Sequence, residues 1–231
     1  MDQCEIQNVS MVYTVGHIKV EALRNLDLKI GKGDFVSVAG PSGSGKTTLL
    51  NLIGCLDKPT EGIVKIAGKD TSHMSSAMLA DLRSEKIGFI FQSYNLIPVL
   101  TAFENIEFPL ILQKKYNSLR RKEMVESMLD DVDILDLRDR KPKEMSGGQQ
   151  QRVAIARSLV KKPELVLADE PTANLDSATG GNVLEIMKEM NEKLNVTFIF
   201  STHDNMVMNF ARRLVKLKDG RISSDETRDK G

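Results

Sequence analysis

The stretch GPSGSGKTT places three glycines, a lysine and two threonines within the nine residues from Gly40 to Thr48. Its spacing, GxxxxGK[ST], is suited to gripping phosphate. The stretch follows the apolar run FVSVA and opens a helical pattern in which Leu49, Ile53 and Leu56 share a face, with Leu50 beside them. Strand, tight loop and helix start in that order are the context the motif needs. The loop of Gly40, Pro41, Ser42, Gly43, Ser44 and Gly45 lets backbone N–H groups converge on phosphate oxygens, and the helix start adds its partial positive charge. Lys46 is placed to neutralise the β and γ phosphates, Thr47 to offer its hydroxyl to Mg²⁺, and Thr48 to complete the cradle.

A triphosphate implies a reacting water, and the chain supplies further polar groups at the ends of apolar runs. LVLADE ends in Asp169, an oxygen ligand suited to the Mg²⁺ shell, and Glu170, positioned as general base or polariser for attacking water. IGFIFQ delivers Gln92 and TFIFSTH delivers His203 in the same manner. In an open parallel sheet, ligands bind outside the carboxyl ends of the strands, so these groups should converge on the cradle. No NKxD-type element for guanine is present, which makes ATP the default nucleotide. Tyr13, after an N-terminal strand, either stacks on the base or sits half-buried at the surface.

MSGGQQQR, residues 145 to 152, is a second glycine-bearing helix start. Ser146 and Gln149 fit a capping box, and Val153, Ala156, Leu159 and Val160 follow as a buried stripe. Capping does not explain Gly147 and Gly148, each of which weakens a helix by roughly 0.8 to 1 kcal/mol relative to alanine. The open alternative is a half-site: a facing copy of the chain brings Ser146, Gly147, Gly148 and Gln149 over the nucleotide, in a twofold pair that closes two sites at once.

Holding these groups requires a particular frame. EIQNVSMVYTV, LDLKI and GIVKIAGKD read as an N-terminal antiparallel β region, whereas FVSVAG, LVLAD and VTFIF are short continuous apolar runs alternating with helices, which implies parallel pairing. The expected fold is α/β: a P-loop NTPase core with a mainly parallel sheet, an antiparallel β subdomain and a helical subdomain inserted at about 93–160. In that insert Met124, Val125, Met128, Leu129 and Val132 form one stripe with Ser118 as its cap, and Thr101 and Glu104 box a short helix that Pro109 limits or kinks. Tyr94, Leu96, Ile97, Val99, Leu100 and Phe103 lack periodicity and form either a docking patch or the insert's core. Lys114, Lys115, Arg120, Arg121 and Lys122 read as a solvated face. Asp219-Gly220 signals a hairpin, and residues 223–231 read as a polar, disordered tail after a single domain over 1–222.

Bulk properties exclude several classes. Thirty-two basic and thirty-two acidic residues cancel, giving no electrostatic reason to expect nucleic acid. Cys4 and Cys55 lack metal or disulfide spacing, and no run approaches the ~18 apolar residues of a membrane span, so a reducing cytoplasm is expected.

Taken in order, GPSGSGKTT, FIFQS, MSGGQQQR, LVLADEPTANLD and STH resemble the nucleotide-binding subunit of an ABC transporter, over roughly residues 3 to 222. The resemblance implies that Tyr13 stacks on adenine, that Gln92 senses Mg²⁺ and the membrane partner, and that Asn174, Leu175 and Asp176 cross a dimer interface. It also implies a homodimer on ATP binding, peripheral attachment to the cytoplasmic face of the inner membrane, and a separate permease docking near residues 92–108. Within the family the segment FIFQSYNLIPVLTAFENI resembles the lipoprotein-releasing and macrolide- or peptide-exporting group; the other readings are an importer, a cell-division complex or a soluble non-transport ATPase. Met145, where leucine is usual, and Asn174, where a small residue is common, depart from the family pattern.

Overall fold

The computed structural model describes residues 2–16 and 18–228. Strands β1 (Asp2–Val15), β2 (Ile18–Gly31), β4 (Glu61–Ile66) and β5 (Lys69–Asp70) form an antiparallel sheet in the order β2-β1-β4-β5. Strands β3 (Phe35–Ala39), β6 (Ile87–Ile90), β7 (Leu165–Asp169), β8 (Thr197–Thr202), β9 (Arg213–Lys218) and β10 (Arg221–Thr227) form the second, in the order β10-β9-β3-β8-β7-β6. All pairings there are parallel except β9 with β10. The α/β core with its antiparallel β region is thus as the sequence predicts.

Strands buried on both faces explain the continuous apolar runs. Phe35, Phe198, Phe200, Val166 and Ala168 point into one hydrophobic cluster, which they share with the helical insert. The intervening Val36, Val38, Ile199, Leu165 and Leu167 point into another, shared with β1, β2 and the helix α1 (Lys46–Ile53). Ring centroids of Phe35 and Phe200 lie 4.6 Å apart and both rings are buried, so the central strands are fixed from both sides before any functional group is placed.

The remaining helices are α2 (Ser76–Lys86), α3 (Ala102–Gln113), α4 (Ser118–Asp131), α5 (Gly147–Leu159), α6 (Ser177–Leu194) and α7 (Asn205–Phe210). Thr101 and Glu104 form the expected capping box on α3, but Pro109 does not end that helix, which runs on to Gln113. Three other expectations need correction. The cap of α4 is Asn117, whose side chain accepts from the N–H of Arg120, with Ser118 the first helical residue. Leu56 lies beyond α1 and is exposed, because Gly54 caps the helix and Cys55 adopts a left-handed conformation. Residues 223–227 are not a loose tail: they lie in β10, whose polar side chains belong to an edge strand, with both Asp225 oxygens gripped by the Arg213 fork at 2.8 and 2.7 Å. Arg228 follows, its N–H donating to the Arg212 carbonyl at 2.7 Å, and the last of the expected tail, residues 229–231, lies outside the described residues.

The basic cluster is largely neutralised: Lys115 pairs with Glu85, Arg120 with Glu123, Arg121 with Glu107 and Lys122 with Glu126. A solvated face accounts for it.

Candidate functional site

A cavity of about 840 Å³ opens where β3, β6, β7 and β8 end, and its lining joins Tyr13, residues 41–43 and 45–48 of the loop, Gln92, Asp169, Glu170 and His203; Gly40 and the buried Ser44 do not line it. The convergence expected from strand ends is therefore present. Gly45 is the N-cap of α1 at φ 103, and a Cβ there would lie 2.7 Å from the Ala22 carbonyl oxygen, so no side chain fits where the loop enters the helix. The Lys46 ammonium donates to the carbonyls of Gly40 at 2.7 Å and Pro41 at 3.0 Å, which holds it across the mouth of the loop. Tyr13 lies opposite Val20 in the β1–β2 ladder and donates to the Asp57 carboxylate at 2.9 Å. Burial, and secondarily Asp57, pushes its phenol pKa up, so it stays a neutral donor with its ring toward the cavity.

Glu170 is the best-held polar group. Its backbone is left-handed at φ 46, and its N–H donates to the Ser201 carbonyl at 2.9 Å. Oε1 accepts from the His203 N–H at 3.2 Å and lies 2.5 Å from His203 Nδ1; Oε2 accepts from the Thr202 hydroxyl at 3.0 Å. One proton between Oε1 and Nδ1 is needed for that short contact. The carboxylate side chain is only 15% exposed whereas the imidazole is 74% exposed, so the pair presents a fixed acceptor backed by a reachable ring. Asp169, one residue earlier, ends β7 and lines the same cavity. Thr47, Gln92 and Asp169 offer hydroxyl, amide and carboxylate oxygens, a donor set that fits a hard cation such as Mg²⁺.

Ser146, Gly148 and Gln149 are not in this cavity. They line a second one, about 570 Å³, with Asp133, Asp136, Arg152, Thr179 and Asn182. The capping box is made in both directions: the Gln149 N–H donates to Ser146 Oγ at 3.3 Å and the Ser146 N–H to Gln149 Oε1 at 2.9 Å. Asn174 and Asp176 are exposed. Asn174 Nδ2 donates to the Gln92 carbonyl at 2.9 Å, and Asp176 caps α6 through the N–H groups of Ala178 and Thr179. The Thr179 hydroxyl, then its N–H, holds the Asp176 carboxyl below its usual range.

A family model for ABC transporters matches residues 23–173. The chain belongs to the ABC transporter family. It is an ATP-binding cassette, and the reaction of its kind is ATP hydrolysis. A Methanocaldococcus jannaschii protein described as the uncharacterized ABC transporter ATP-binding protein MJ0796 is 46% identical over 226 residues, covering 96% of each chain. The dimeric structure of the ATP-binding cassette MJ0796 in a post-hydrolysis state with ADP and Pi superposes with a TM-score of 0.89 at 43% identity, covering 99% of this chain and 100% of that one. The macrolide export ATP-binding/permease protein MacB of Mannheimia succiniciproducens is 46% identical over 225 residues, and the cassette spans 35% of its length.

Within this ABC cassette the sequence reading missed Val20, Glu21, Ala22 and Ser201 as cavity lining and Thr202 as a Glu170 partner. The first three face Tyr13's end of the hairpin, and drawing the β1–β2 register would have found them. The glycines of SGGQ also gain an explanation inside the chain. A Cβ on Gly148 would lie 2.5 Å from Thr179 Cγ2, and one on Gly147 2.9 Å from the Tyr94 hydroxyl. Gly148→Ala is expected to lower the thermal midpoint by several degrees, since overpacking costs about 1–3 kcal/mol. Adding Thr179→Ser, which removes the colliding methyl and keeps the hydroxyl, should restore the midpoint. If ATPase activity returns with it, packing alone fixes that glycine; if stability returns without activity, close approach to a ligand also fixes it.

Proposed function

We propose that this cassette works as a homodimer closing two ATP sites, each built from the cradle, Asp169, Glu170 and His203 of one copy and from Ser146, Gly147, Gly148 and Gln149 of the other. The observation that carries the reading is the separation of the two halves: the exposed N-terminus of α5 opens onto a cavity of its own, away from the cradle of the same chain. Head-to-tail pairing about a twofold axis brings each half to the other copy's partner half. The dimeric MJ0796 structures support that arrangement. Glu170 orients and deprotonates the attacking water, His203 contacts the γ-phosphate, and Lys46 with the loop N–H groups stabilises the phosphate charge. Tyr13 stacks on the adenine. Thr47, Asp169 and Gln92 would hold Mg²⁺, which would supply further charge neutralisation on the phosphates. Asn174, Leu175 and Asp176 face the partner copy.

ATP-driven closure then moves a separate membrane permease on the cytoplasmic face of the inner membrane. No helix among the described residues is long and apolar enough to span a membrane. The docking surface is narrower than the apolar run at 94–103 suggested. Leu96 and Phe103 pack against the core, and the loop is pinned by buried Asn105, whose amide bonds Ile97 N–H and the carbonyls of Ile97, Leu100 and Thr101. What remains open is Val99, 73% exposed, and the i, i+3, i+4 ridge of Phe108, Ile111 and Leu112 on α3. Beside Pro109 a groove of about 230 Å³ is lined by Phe89, Phe91, Asn95, Arg157 and Lys161, and by no carboxylate. Burial pushes the Lys161 pKa down to about 8. An apolar segment carrying an acidic side chain suits that groove. MacB, in which a permease and an ATP-binding part share one chain, supports the assignment to export or lipoprotein-releasing systems.

The docking surface is tested by isolating a membrane permease that co-purifies with this cassette and measuring its stimulation of ATPase activity. Val99→Asp with Phe108→Ser is expected to weaken complex formation at least about tenfold, the loss of an interface anchor, with the basal rate unchanged. Full stimulation of that variant would place the permease elsewhere.

A further inference from the structure

Gln92 reaches the nucleotide cavity from a segment with an unusual backbone. Tyr94 and Asn95 are both left-handed, at φ 59 and φ 48, and neither is glycine. Two successive residues in that region are disfavoured unless the surroundings hold them. The holding group is on α5. Arg157 Nη2 donates to the Tyr94 carbonyl at 2.7 Å and Nη1 to the Asn95 carbonyl at 2.6 Å, so one planar fork grips both carbonyls of the turn. No carboxylate pairs with Arg157 among the described residues, so these carbonyls are its polar partners. The segment is tied at two further points: the Gln92 carbonyl accepts from Asn174, and the Tyr94 hydroxyl lies against Gly147 at the start of α5.

We infer that Arg157 is a positioning residue: its fork fixes the left-handed turn at Tyr94 and Asn95, aims Gln92 into the nucleotide cavity, and makes Gln92 and the SGGQ helix start move as one body. The inference rests on the assignment of Gln92 to the nucleotide site made above. A lysine at 157 keeps the charge but offers a single point of attachment, which satisfies one carbonyl and frees the other. A glutamine reaches neither with a fork.

The test compares Arg157→Ala, Arg157→Lys, Gln92→Ala and the double variant Arg157→Ala with Gln92→Ala, using ATPase kinetics and amide hydrogen exchange over residues 93–97. Arg157→Ala is expected to lower kcat by about 10- to 100-fold, the cost of misplacing an active group, with KM for ATP little changed and exchange of the turn accelerated. Arg157→Lys should recover part of both. The double variant should be no slower than Gln92→Ala, because the two residues act as a unit. Additive losses overturn the inference, as does a normal kcat in Arg157→Ala. Slow turnover in Arg157→Ala beside normal turnover in Gln92→Ala overturns it together with the role given to Gln92. Slow turnover in Gln92→Ala beside normal turnover in Arg157→Ala overturns the inference alone. Should the alanine variant fold poorly, Arg157→Lys and Arg157→Gln carry the same comparison.

Discussion

Glu170→Gln is expected to lower kcat by about 10²- to 10⁴-fold, the contribution typical of a positioned general base, while ATP still binds. Glutamine has the size of glutamate and keeps an acceptor oxygen for the Thr202 hydroxyl or for the donors on His203, so the β7 and β8 ends stay in place. It cannot take a proton from water. With closure intact and hydrolysis blocked, the variant should accumulate as an ATP-dependent dimer on size-exclusion chromatography. Turnover near that of the unaltered protein would remove Glu170 from the role of base.

The second large effect is on the other half of the site. Ser146→Arg places a long cation at the exposed start of α5 and removes the hydroxyl that accepts from the Gln149 N–H. The capping loss alone costs about 1 kcal/mol, and Ser146→Ala measures it. Beyond that shared cost, Ser146→Arg is expected to reduce ATPase activity by at least about 100-fold, as for removal of a donor poised on the reacting phosphate, with ATP affinity of the monomer nearly intact. The cradle lies in a separate cavity and should not register the change. If Ser146→Arg hydrolyses ATP as fast as Ser146→Ala, the residue is a helix cap and nothing more.

Much of this site was legible because its groups sit next to the elements that place them. The cradle lies between β3 and α1, and Asp169, Glu170 and His203 follow apolar strands, so local pattern and chemistry coincide at each. What local pattern could not show depends on distant partners. The collision between Gly148 and Thr179, the Asp57 carboxylate under Tyr13, and the Arg157 fork on a turn 62 and 63 residues away arise only when segments far apart in the sequence fold together. The hairpin at Asp219-Gly220 was legible, but the later part of strand β10, residues 223–227, escaped for a different reason. Exposed on most of its length, it carries little apolar signal, and its ladder to β9 and the Arg213–Asp225 pair supply what hydrophobic patterning does not. Leu56 fits the apolar period of α1 but lies past Gly54, and the turn residue outweighs the period.

The central claim is that one copy holds ATP from a single side and a second copy completes the enclosure. ATPase activity per molecule, measured over a dilution series spanning monomer and dimer, tests it most directly. The account predicts that activity per molecule falls toward zero as the protein becomes monomeric and reaches a plateau when it is paired, whereas constant activity per molecule down to demonstrably monomeric protein would contradict it.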